Sequence, residues 1–267
     1  MGYRRQRGGR LMHPGRPAGP PLTNHGNRAM HPQDFIKEGR LPEALAALQN
    51  QVRSEPSNPK HRVFLFQLLS VMGQWGRALT QLNVAGELDA TALAMVQTYR
   101  EAIQCEALRA DIFAGKRAPL IFGEPQDWVG LMVEALRIEA HEPARAAALR
   151  EQAYEAAPAS GGSIDGEAFA WLMDADRRLG PVLEAIVNGR YFWIPFSRIA
   201  KIEIDPPSDL RDTVWTAATF TWANGAQAAG LVPTRYDGSA RAGGGPGPAA
   251  TASPSVVCPA AAIARSH

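Results

Sequence analysis

Apolar positions between Gly39 and Asp89 fall into two matching sets. "GRLPEALAALQNQVRSEPSNP" and "GQWGRALTQLNVAGELDA" align with Gly39 and Gly73 34 residues apart. The same offset pairs Leu41 with Trp75, Ala44 with Ala78, Leu45 with Leu79, Leu48 with Leu82 and Glu55 with Asp89. Within each set the apolar residues return every three or four positions, which is the period of a helix with one face against a core.

A 34-residue helical period resembles the tetratricopeptide repeat, a helix–turn–helix unit that stacks on its neighbours. Gly39 and Gly73 suit the tight turns between helices, Ala44 and Ala78 allow close helix approach, and Pro56 ends the first unit. A third antiparallel pair is more weakly signalled: "ALAMVQTYREAIQCEALRADIFAG" has helical spacing through Leu93, Val96, Tyr99, Ile103 and Leu108, with Gly115 as a stop. After a loop containing Pro119, Gly123 and Pro125, "WVGLMVEALRIEA" and "ARAAALREQAYEAA" predict a further hairpin closed by Pro158. The expected helical domain covers residues 32–158.

The turn-rich "PASGGSIDGEAF" marks a boundary. Beyond it, "FAWLMDADRRLGPVLEAIVNG" predicts a helical or irregular piece near Trp171 and a short helix after Pro181 that ends at Asn188-Gly189. From Tyr191 the period shortens to two: "YFWIPFSRIAKIEI", "TVWTAATFTW" and "AAGLVPTRY" predict strands, with a hairpin turn at Asn224-Gly225. The fold class is therefore α+β, with tetratricopeptide-like helical hairpins followed by a smaller β-rich α+β domain over residues 164–236. Residues 1–31 and 237–267 are expected to be disordered, the first a basic segment that could also lie upstream of a start at Met30, the second a Gly-, Pro- and Ala-rich tail.

Charge sharpens this division. Residues 1–30 hold six Arg and no acid, whereas residues 31–236 hold 20 basic and 25 acidic side chains, a mildly acidic balance that argues against a nucleic-acid footprint. No apolar run reaches the roughly 18–20 residues of a membrane span, so no membrane partner is expected. Two cysteines, Cys105 and Cys258, suggest no disulfide framework and fit a reducing cytoplasm.

Chemistry is sparsely signalled. None of the six histidines falls between Ser160 and Tyr236, which leaves that module without a His-based triad. Asp174 and Asp176 form a carboxylate pair of the kind that can hold a divalent cation; a divalent-cation-dependent enzyme using them is the alternative reading, and Arg177 and Arg178 beside them can neutralise both. Phosphate-cradling glycine loops are absent from the sequence, so neither a cofactor nor catalysis is expected. The aromatics Trp171, Trp193, Trp215 and Trp222, with Phe169, Tyr191, Phe192, Phe196 and Phe220, either fill a small core or form a partly exposed patch near Arg190, Arg198 or Arg211. In the repeat register the concave groove takes Lys60, Val63, Gln67 and Ser70, then Gln97, Glu101 and Gln104. That mixture suits a partner helix or extended segment more than an acidic terminus. The partner-binding candidates are Lys60, Val63, Gln67, Gln97, Glu101, Arg190, Trp193 and Trp222, with the core or partner orientation of Arg190 and Trp193 open.

The repeat hairpins, "RVFLFQLLSVMGQWGRALTQL", "YREAIQCEALRADIFAG", "DADRRLGPVLEAIVNGRYFWIPFSRI", "DLRDTVWTAATFTWANG" and "GLVPTRY" together resemble the ImpE family, also called SciE or TagJ, from about Asp34 to Tyr236. The resemblance implies a non-enzymatic, cytoplasmic accessory or adaptor protein of a bacterial type VI secretion system. It implies as partners the small subunit of the contractile sheath, through a helix near that subunit's N-terminus, and the ClpV-type AAA+ ATPase that disassembles contracted sheaths. A general repeat scaffold unrelated to secretion is a further alternative. The chain departs from the family pattern after Tyr236, where a frameshift or altered terminus would produce the low-complexity sequence and leave the sheet short of its last strands, with an exposed edge.

Overall fold

The helical repeats are built on a recurring stop signal. Gly39 and Gly73 both adopt left-handed backbone, with φ of 73° and 67°. Each donates its N–H to the carbonyl three residues back, and the next residue reaches the carbonyl five back, as in Arg40 N to Phe35 O at 2.8 Å and Gln74 N to Leu69 O at 2.8 Å. This arrangement satisfies carbonyls that the helix end leaves open, and glycine adopts it without a Cβ penalty.

The computed structural model describes residues 31–238, so the predicted terminal segments lie almost wholly outside it. Seven helices come first: α1 (Pro32–Lys37), α2 (Leu41–Ser54), α3 (Pro59–Val71), α4 (Trp75–Leu88), α5 (Leu93–Phe113), α6 (Asp127–Ile138) and α7 (Pro143–Ala156). Ala44, Leu48, Ala78 and Leu82, the repeat-related positions, are all fully buried. The third pair is not a hairpin of its own: no Gly or Pro interrupts Leu93–Phe113, so α5 runs as one 21-residue helix until Gly115. Leu93, expected in its core stripe, is 55% exposed.

The remaining chain forms a hairpin, β2 (Gly162–Ile164) with β3 (Glu167–Phe169), and a six-stranded sheet. That sheet takes β1 (Leu120–Ile121) from the loop before α6, then β4 (Val182–Val187), β5 (Arg190–Pro195), β6 (Ile199–Ile204), β7 (Trp215–Trp222) and β8 (Gln227–Pro233). Their order is β1-β5-β4-β8-β7-β6, parallel only between β1 and β5. The helix expected after Pro181 is therefore strand β4. Its six-residue, largely apolar run is too short for a helix face and long enough for a strand buried on both sides. Asn188-Gly189, with φ of 49° and 71°, is the two-residue hairpin turn into β5 and not a helix end. The Asn224-Gly225 turn joins β7 to β8 as expected.

The sheet must curl. In a flat sheet β5 and β6 would stand about 19 Å apart, four strand spacings, yet only Phe196–Arg198, a 3₁₀ turn, joins them. Those few residues reach at most about 14 Å, so the edges approach each other and enclose one face. Phe122, just past β1, lies 4.1 Å from Trp222 at the end of β7, ring centre to ring centre. Leu183, Ala185, Val187, Ile194, Phe220 and Trp222 fill this open barrel. Alternate residues Val182, Glu184 and Ile186 point outward, where Tyr191, Trp193 and Trp215 meet the helices. Trp215 packs on Trp75 at 5.6 Å and Tyr99 at 5.7 Å, and Trp193 on Phe113 at 6.4 Å.

Candidate functional site

Helix α5 is the axle between helices and barrel, and its buried face is partly ionic. Arg109 donates to both oxygens of Glu184 on β4, each at 2.6 Å, and to the carbonyl of Arg235 at 2.7 Å. Glu184 also accepts from the Tyr191 hydroxyl at 2.7 Å, which accepts in turn from Trp193 Nε1 at 3.1 Å. One turn earlier on α5, Glu106 accepts from Trp215 Nε1 at 2.9 Å. Arg235 returns to the helices by donating to the carbonyls of Val71 at 2.6 Å and Ser70 at 3.1 Å. Burial pushes the Glu106 carboxyl above its usual range, with Arg109 opposing only in part. For Arg109 burial works against the charge, but Glu184 and then Glu106 outweigh it and raise its pKa. Tyr191 is raised by burial, and the Cys105 thiol beside it is pushed up to about 11 by the same cause. Periodicity alone does not reveal this network. The available signal is Glu106 and Arg109 in the buried phase of α5 and Glu184 inside an apolar run.

The predicted interaction residues separate into three places. Lys60, Val63 and Gln67 line one groove of about 310 Å³, together with Phe64, Asp89 and Ala92. Exposed Leu88 and Leu93 flank Asp89 and Ala92 in the chain. Lys60 is exposed, Val63 half-buried and Gln67 buried, while Ser70 lies wholly in the core and donates to Phe66 O. Gln97 and Glu101 do not line that groove. Gln97 donates to Glu101 at 2.5 Å, and the Glu101 carboxylate covers Gly189 in the β4–β5 turn.

Of the pair left open, Arg190 is exposed with its guanidinium 5.7 Å from the Phe192 ring centre, and Trp193 is wholly buried. Trp222 is also a core residue, stacked on Phe220 at 5.1 Å inside the barrel. Most of the aromatic cluster thus fills the two sides of the sheet, while Trp171 is 64% exposed and Phe169 sits half-buried on the β2–β3 hairpin.

Asp176 is held by Arg178, which donates from Nη2 at 2.6 Å and Nε at 3.0 Å. Burial alone would raise the Asp176 pKa, but Arg178 outweighs it and lowers it. Asp174 is buried and accepts from Asp176 N at 2.7 Å. This is a turn braced by its own aspartates. Among the described residues no three His, Cys, Asp or Glu side chains gather as a metal site, and no helix is long and apolar enough to cross a membrane.

Residues 166–245 match the family model described as ImpE protein. The type VI secretion system accessory component TagJ of Pseudomonas aeruginosa is 56% identical over 212 residues, spanning 79% of this chain and 75% of TagJ. The chain belongs to the ImpE family. The ImpE match begins at the β2–β3 turn and takes in every later strand, so it covers the barrel except for β1. Protein VPA1032 of Vibrio parahaemolyticus, solved by X-ray crystallography, has the same fold, with a TM-score of 0.70 at 24% identity over 77% of this ImpE chain and 78% of that one.

Proposed function

We propose that this chain is an accessory component of a type VI secretion system, acting in the cytoplasm as an adaptor without chemistry of its own. The 56% identity with TagJ over 212 residues carries the reading. The groove beside α3 receives a helix of the small sheath subunit, and the complex is handed to the ClpV-type AAA+ ATPase. Two features support the helix as ligand. The groove mixes apolar Val63, Phe64 and Ala92 with one cation, Lys60, and one anion, Asp89. Leu88 and Leu93, next to the groove residues Asp89 and Ala92 in the chain, are exposed apolar side chains, as suits an amphipathic helix with mixed contacts.

Pull-down with the sheath small subunit, with and without its N-terminal helix, tests this. Recovery should depend on that helix and drop at least tenfold with Val63→Glu, which replaces an apolar contact on the groove floor by a carboxylate that the partner helix would have to desolvate. Equal recovery of both subunit forms removes helix docking.

A further inference from the structure

Helix α3 has a second pocket on another face. Residues two apart on a helix point about 200° away from each other, so Arg62, Leu65 and Leu69 turn away from Lys60, Val63 and Gln67. They line a pocket of about 280 Å³ with Val52 and Arg53 of α2 and Arg77 of α4. Val52, Leu65 and Leu69 are buried and make an apolar floor.

The three arginines lack counter-charges. No Asp or Glu lines the pocket, and none of the three forms an ion pair among the described residues. Their partners are neutral amides: Arg53 donates to Asn50 at 2.6 Å, Arg62 to Gln81 at 2.8 Å and Arg77 to Gln74. Arg62 Nε is buried with no hydrogen-bond partner among the described residues, a condition it shares with the Nε of Arg150, Arg198 and Arg211. Elsewhere the fold pairs its buried arginines with carboxylates, as at Arg109 and Arg150.

An arginine offers five N–H donors in a planar fork suited to carboxylate oxygens. We infer that this pocket binds an acidic segment of a partner protein, with carboxylates on Arg53, Arg62 and Arg77 and one apolar side chain on the floor. Charge disfavours residues 1–30 and 239–267 of this chain as the occupant. Residues 1–30 hold six Arg and no acid, and residues 239–267 hold two Arg and no Asp or Glu. The site is separate from the α3 groove assigned to the sheath helix and does not depend on that assignment.

The test is fluorescence anisotropy on the full chain with a labelled twelve-residue peptide bearing four Glu around a central Leu. Controls are the same peptide with Gln for Glu, and inorganic phosphate as competitor. Saturable binding that weakens at least tenfold in Arg53→Gln/Arg62→Gln/Arg77→Gln, and by a similar factor for the Gln peptide, is the expected result. Lys60→Gln, in the other groove, should leave it unchanged. No saturable binding, or equal binding by wild type and a triple variant with unchanged circular dichroism, overturns the inference. Complete displacement of the peptide by low-millimolar phosphate overturns the peptide assignment in favour of a free anion.

Discussion

The seam between helices and barrel and the basic pocket on α3 treat charge in opposite ways. At the seam, Arg109 meets Glu184 through two hydrogen bonds with both side chains buried, and half-buried Arg235 caps two helix carbonyls. Around the pocket, Arg53, Arg62 and Arg77 lean on neutral amides. A buried charge has to be partnered because desolvation is costly, whereas an accessible one can wait for a partner from outside. Paired charge holds this molecule together, and unpaired charge marks where it can hold something else.

The largest test of that contrast is Arg109→Ala. It leaves Glu184 buried without its cation and should lower stability by about 3–5 kcal/mol, read as a shifted urea midpoint with little change in slope. Loss below about 1 kcal/mol would mean that the seam does not depend on the pair.

Glu106 gives an intermediate effect with a definite sign. Its pKa is raised in the folded state, so between the unfolded value and the raised one the folded chain binds more protons than the unfolded chain. Its contribution to stability is fully present below the unfolded pKa and declines as pH rises through the folded one. Glu106→Gln removes that term while keeping an acceptor for Trp215. The stability of wild type minus that of the variant should therefore fall as pH rises above the unfolded carboxylate value of about 4, and a difference that rises would reverse the assignment.

At the small end, Arg53→Gln or Arg77→Gln should move stability by no more than about 0.5 kcal/mol, as for surface positions away from buried networks. A cost comparable to Arg109→Ala would place these side chains in the seam's class.

Much of this organisation is legible without coordinates. The 34-residue offset locates α1 to α4, and their stop glycines take the backbone that the pattern requires. Lys60, Val63 and Gln67 share a groove because i, i+3 and i+7 lie on one helix face, a relation that spacing alone establishes. Asn188-Gly189 is visible as a turn signal, but a helix end and a hairpin share that signal. Val182–Val187 is buried on both sides of the strand, which hides the alternation that marks a half-buried strand.

The helical repeats, the strand-forming stretches that become β5 to β8 and the family resemblance follow from the amino-acid order alone, since these rest on periods and motifs within short windows. That the sheet curls, that Trp193 faces helices while Trp222 fills the barrel, and that Arg109 finds Glu184 75 residues away emerge only once the chain is folded. The reason is physical: helix and strand periods are local properties of the backbone. The partner of a buried charge, and the side of a sheet that closes, are set by which distant surfaces meet.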